Sequence, residues 1–143
     1  MRHARLLLAL YGVLLAVVLL APTSTVQASL VLDVVRALQH LGVHGTWSTF
    51  TRVEVLTNVL MIAPLTFLGS LVLSRLRWQD WTAYAFIGAA CVEMFQGIVL
   101  PARQASFSDI VANTAGAALG ALLARRLRQP PPDPGEAFRP RDR

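Results

Sequence analysis

The sequence predicts an all-α, polytopic membrane helical bundle: four transmembrane helices with a short amphipathic helix on the outer side. Three observations carry that prediction. The 143 residues are 55% hydrophobic and only 15% charged, against about 25% charged in soluble domains. The apolar residues fall in four blocks, 6–21, 56–74, 81–100 and 107–124, each near the roughly 20 residues a helix needs to cross a bilayer. All thirteen basic residues are arginine, and most of them sit in connections that lie on one side of the spans.

Backbone amides in hydrocarbon must be paired within the chain, so each block is expected to be a helix. No run alternates as a membrane barrel strand does. The first block, "LLLALYGVLLAVVLLA", follows "MRHAR" and precedes "VQA". It has a rival reading as a secretory signal cleaved at Ala28. Signal cores run about 7–15 residues, and this one has 16, which favours a retained span. Cleavage would leave three spans and the same orientation for the rest.

Residues 22–54 form the first long connection. Leu30, Val31, Val34, Val35, Leu38 and Leu41 recur at helical spacing, with Asp33, Arg36 and His40 on the other face. This predicts an amphipathic helix that lies on the membrane surface or caps the bundle, stopping at Gly42. His40 and His44 are four apart, but Gly42 separates them and a metal site needs three or four ligands. They read as solvated imidazoles, and neither a metal nor a cofactor is expected.

Arg2 and Arg5 precede the first block, Arg75 and Arg77 join the second to the third, and Arg125, Arg126 and Arg128 follow the fourth. Arginines in short loops mark the cytoplasmic side. Both termini and the middle loop are therefore expected inside, and the positive charge is not a nucleic-acid patch. Trp78, Trp81 and Tyr84 would form an aromatic belt at the inner end of the third span. Pro64 should kink the second span and free a carbonyl. Cys91, the one cysteine, lies within a span. Residues 1–127 thus read as one transmembrane domain. Residues 128–143 are rich in Pro, Gly and charge and have the composition of a disordered cytoplasmic tail.

The third and fourth spans carry polar groups that are expensive in lipid. Glu93 and Gln96 share one face of the third helix, Asp109 and Asn113 one face of the fourth. The short connection "LPARQAS" makes the two an antiparallel hairpin, with Arg103 in the turn. Counting from the helix ends pairs Glu93 with Asn113 and Gln96 with Asp109 in depth, with Ser106 and Asp109 placed for a capping box. Asn58 enters at the same outer level, preceded by Arg52 and Glu54. An ionised carboxylate in the membrane costs at least about 2.5–3.5 kcal/mol, so Glu93 should face the bundle interior, paired with Arg103 or bonded to Asn113. Each neighbour also has a structural reading: Asp109 as a helix cap, Asn58 and Asn113 as interhelical hydrogen bonds, Arg103 as a loop charge. Glu93 fits such readings least, since intramembrane acids are functional sites by default. Ala112, Gly116, Gly120 and Ala124 form a small-residue face for close helix packing.

Glu93, Gln96, Arg103, Asp109, Asn113, Gly116 and Gly120, in the pattern E-x2-Q-x6-R-x5-D-x3-N-x2-G-x3-G, resemble the VanZ-like family of bacterial membrane proteins. "TNVLMIAPLTFLG", through Asn58 and Pro64, is similar to that family's earlier Asn-plus-Pro element. It departs at Ile62, often aromatic in the family, and at Thr66, often Gly. The resemblance covers residues 54–124. It implies a small multi-pass protein of the bacterial cytoplasmic membrane, in a family whose founding member is associated with low-level teicoplanin resistance.

Three functions follow as expectations. An outward-facing polar pocket would bind a cell-envelope component, either a lipid-linked precursor or a glycopeptide, with Arg103 meeting a phosphate or carboxylate and Glu93 and Asp109 receiving amines or hydroxyls. Alternatively, Glu93 or Asp109 would act as general acid or base in a membrane-embedded enzyme. No Ser-His pair, HExxH or phosphate loop supports that reading. A transport or assembly subunit with Glu93 as a protonation site is the third.

Overall fold

A computed structural model describes residues 2–21, 25–100 and 106–128. They form five helices: α1 (Arg2–Leu19), α2 (Thr25–His40), α3 (Phe50–Val72), α4 (Trp78–Val99) and α5 (Phe107–Arg128), with a 3-10 turn at Gly45–Ser48 between α2 and α3. No strand occurs among the described residues. α1, α3, α4 and α5 are each long and apolar enough to cross a membrane, and α2 is the shorter amphipathic helix. The chain is all-α, as its hydropathy pattern predicts. Of the expected tail, 128–143, Arg128 belongs to α5; residues 129–143, and Arg103 in the expected turn, lie outside the described residues.

The helix ends depart from the apolar blocks in a consistent way. α3 begins at Phe50 rather than 56, because Val53 is buried and Arg52 stacks on the Trp47 ring, 5.1 Å from its centroid. α5 continues past 124 through Arg125, Arg126 and Arg128, whose charges suit the negative end of the helix dipole. α4 starts at Trp78, where the Asp80 carboxylate accepts the Arg77 backbone N–H at 2.7 Å. α2 ends at His40, and Gly42 takes a positive φ of 83° just beyond it. Hydropathy marks the part of a helix inside lipid; capping and packing mark where the helix stops.

α3 is the centre of the bundle. It packs most extensively on α5, and it is the main partner of both α1 and α2. α5 also packs on α4, whereas α3 and α4 touch little. The reason lies in the small-residue face. Ala112, Gly116, Gly120 and Ala124 are all buried. A Cβ on Gly116 would collide with the Val59 carbonyl, and one on Gly120 with the Ala63 carbonyl. The two helices run parallel, with backbones in direct contact, and dispersion between them replaces the hydrophobic drive that lipid does not supply.

Three threonine hydroxyls in the spans are satisfied on their own helices. Thr57 donates to Val53 O at 2.7 Å, Thr82 to Trp78 O at 2.8 Å and Thr114 to Ile110 O at 2.7 Å. α3 is continuous through Pro64. Nearby, the Tyr11 hydroxyl of α1 donates to Met61 O at 2.8 Å, and Tyr11 and Met61 pack with Leu15, Ile62 and Ala117 in the small apolar core. Most large apolar side chains, including Leu7, Leu14, Phe86, Ile98 and Leu119, point outward, as lipid-facing residues do. One aromatic departs from expectation. Trp81 does not sit in a belt: its ring lies on Gly69 of α3, filling the space the missing side chain leaves.

Candidate functional site

At the end of the bundle that carries α2, all five helices contribute to one cavity of about 390 Å³. α3 supplies Glu54, Thr57 and Asn58, α4 supplies Glu93 and Gln96, and α5 supplies Asp109 and Asn113. α2 lies over it through Gln27 and Val31, and α1 reaches it at Leu19. Glu93, Gln96 and Asn113 are buried, at 6%, 4% and 9% exposure, so none of them faces lipid. Asn58, Asp109 and Glu54 are half-buried.

Of the residues singled out in the sequence, Asn58, Glu93, Gln96, Asp109 and Asn113 come together here. Their bonding differs from the depth-matched pairs. Glu93 accepts the Ser106 backbone N–H at 2.7 Å. Ser106 immediately precedes α5, so a carboxylate from α4 takes the amide that residue N3 takes in a capping box. Asp109, which occupies N3, instead accepts from the Asn58 side-chain amide at 2.9 Å. The Ser106 hydroxyl pairs with the Ser108 hydroxyl at 2.6 Å. Gln96 donates to the Leu19 carbonyl of α1 at 2.6 Å, rather than to Asp109. The cause is packing: the glycine face draws α5 onto α3, which turns Asp109 toward Asn58 and away from α4.

Three lining groups escaped the sequence reading as site residues. Glu54 stands one helical turn before Asn58, and that spacing was the available signal for a shared face. Thr57 lies on the same wall. Gln27 sits on α2, and nothing local in the sequence places it over the cavity. Glu54 and Asp109 are close enough for their charges to repel. With Glu93, three carboxylates line the cavity, and no described arginine does. Among the described residues, no group of three or more His, Cys, Asp and Glu side chains is arranged to hold a metal ion.

The cavity has an apolar annex. α1 and α4 scarcely touch, and between them a crevice of about 300 Å³ runs over α3. Its walls include Ile62, Leu65, Trp81, Ala85 and Val92, and it shares Leu19 and Asn113 with the polar cavity. The Gln96-to-Leu19 bond joins α4 to α1 at the top of this crevice. A polar chamber and a hydrocarbon-lined slot therefore meet at Asn113.

The family model described as VanZ/LLP1 matches residues 7–128, which takes in α1 from Leu7 onward, α2 through α5 and every residue of both cavities. No curated protein and no solved structure matches the chain.

Proposed function

The chain belongs to the VanZ-like family of membrane proteins, and on that premise we propose that it binds the polar head of an amphiphilic cell-envelope component, such as a lipid-linked precursor. The observation that carries this reading is the shared wall at Leu19 and Asn113. A head group rich in hydroxyls or amines suits a chamber lined by Glu54, Glu93, Asp109, Asn58 and Gln96, all strong acceptors or amides. A single hydrocarbon chain suits the crevice beside it. A cationic amine would also relieve the repulsion between Glu54 and Asp109. Arg103 is the candidate for a phosphate or carboxylate near the head. A water-soluble glycopeptide would use the chamber and leave the crevice empty, so the amphiphile is the better match.

The arginine distribution favours both termini and the α3–α4 loop on the cytoplasmic side; in that orientation the chamber opens to the cell exterior. The test is binding of a fluorescent polyprenyl-linked amino sugar to the protein in nanodiscs. Wild type should bind saturably, while Glu93→Gln and Arg103→Ala should weaken binding at least tenfold. Equal binding by all three would remove this reading. Glycopeptide susceptibility of a deletion strain, complemented with the same variants, asks whether teicoplanin-type resistance applies.

A second reading, acid–base catalysis on such a lipid, is favoured by carboxylates gathered in one chamber. Folded Glu93→Gln and Asp109→Asn variants that keep full function in the complemented strain would exclude it.

A further inference from the structure

The opposite end of the bundle holds a second cavity, about 360 Å³, between α3, α4 and α5. Ser70, Arg77, Trp78, Gln79, Arg125 and Arg128 line it. Its chemistry is the reverse of the chamber described above. Three arginines, one before α4 and two in the last turn of α5, contribute to its lining. No carboxylate lies within ion-pair distance of any of them among the described residues. The nearby acid, Asp80, accepts the Arg77 backbone N–H. The cavity also receives the N-terminus of α4, whose first-turn amides at Trp78 and Gln79 have no acceptor among the described residues. Such amides and the helix dipole favour an anion.

Ser70 supplies an independent sign. It is only 4% exposed, it lines this cavity, and its hydroxyl has no hydrogen-bond partner. Thr57, Thr82 and Thr114 all satisfy their hydroxyls on their own helices. A buried hydroxyl left without a partner costs about 1–3 kcal/mol, and here it belongs to a residue of the cavity wall.

We propose that this cavity binds the phosphate of an anionic phospholipid headgroup, with Arg77, Arg125 and Arg128 on the phosphate and Ser70 donating to one of its oxygens. The lipid source is favoured over a free anion by the surroundings. Leu76 and the half-buried Trp78 line the cavity itself, so an acyl chain has apolar surface to follow. Basic pockets between membrane helices bind such headgroups. The site is separate from the chamber near α2 and does not rest on the reading proposed for it.

The experiment uses the full chain in nanodiscs made of equal parts phosphatidylglycerol and phosphatidylcholine. Native mass spectrometry then counts the lipid retained. Wild type should keep phosphatidylglycerol at least tenfold over phosphatidylcholine. Removing an arginine should weaken this roughly fivefold each, so Arg125→Gln with Arg128→Gln should erase the preference. Ser70→Ala should reduce it about threefold, near the value of one hydrogen bond. Arg2→Gln with Arg5→Gln removes as much charge from the same end of the bundle, outside the cavity, and should leave the preference intact. Loss in that control equal to the loss in the cavity variants would reduce the effect to bulk charge and overturn the site. So would equal retention of both lipids by wild type. Displacement of the bound lipid by millimolar inorganic phosphate would overturn the lipid assignment in favour of a soluble anion.

Discussion

The side-chain amide of Asn58 donates to the carboxylate of Asp109 at 2.9 Å, joining α3 to α5 at the edge of the polar chamber. This bond orients both groups and holds one of the chamber's carboxylates in place. Below it, the glycine contacts at Val59 and Ala63 set the distance between the two backbones. The chamber's shape and the tightest helix packing are therefore parts of one interface.

Asn58→Ala and Asp109→Ala should each destabilise the bundle. A double-mutant cycle should return a coupling of about 0.6–1.7 kcal/mol, the range of interhelical bonds in membranes. Asn58→Asp should be worse than Asn58→Ala, because it sets two carboxylates against each other. Unfolding in mixed detergent with increasing SDS measures all of these, and a coupling near zero would discount the bond.

Glycine is intrinsically about 1 kcal/mol worse than alanine in a helix, so Gly→Ala has a sign that packing decides. At Gly116 and Gly120 the new methyl meets backbone carbonyls, which cannot rotate away. These changes should cost about 1–3 kcal/mol each, as overpacking does. Gly88 has nothing within 4 Å of an added Cβ, and Gly88→Ala should be neutral or stabilising. The same SDS titration separates the two classes.

α1 is held by few contacts. Leu15 is its one buried residue, and its polar ties include Tyr11 to Met61 and the Leu19 carbonyl to Gln96. Gln96→Leu and Tyr11→Phe should increase hydrogen–deuterium exchange at the α2 end of α1 while leaving α5 protected. Ala28, the candidate cleavage residue, lies inside α2, and α1 forms part of the chamber wall. Intact mass of protein purified from membranes should therefore include residues 2–28.

Topology can be read with single cysteines in a Cys91→Ala background. A membrane-impermeant maleimide should label His44→Cys in whole cells, and Leu76→Cys only after permeabilisation. The reverse pattern would turn the chamber toward the cytoplasm.

How far the site was legible from sequence differs by residue. Glu93, Gln96, Asp109, Asn113 and Asn58 stood out because each is costly in hydrocarbon and lies in a segment whose polarity is otherwise low. Glu54 and Gln27 lie in segments that already contain charge, where a polar side chain carries no surprise. The pairings were not legible. Counting turns assumed that the ends of α4 and α5 are level, whereas Glu93 bonds to Ser106 just before α5 begins.

By itself the sequence pointed to lipid as the solvent, to four helices long and apolar enough to span a membrane, and to the face along which α5 packs. These follow from properties that add up residue by residue: apolar length, backbone pairing in lipid and side-chain size. Tertiary structure alone decided that α3 lies at the centre, that Asp109 turns to Asn58, and that Trp81 packs inward on Gly69. It also decided that a hydrocarbon-lined crevice opens beside the polar chamber. Those outcomes depend on how side chains from different helices fit in space, and hydropathy along one chain holds no information about that fit.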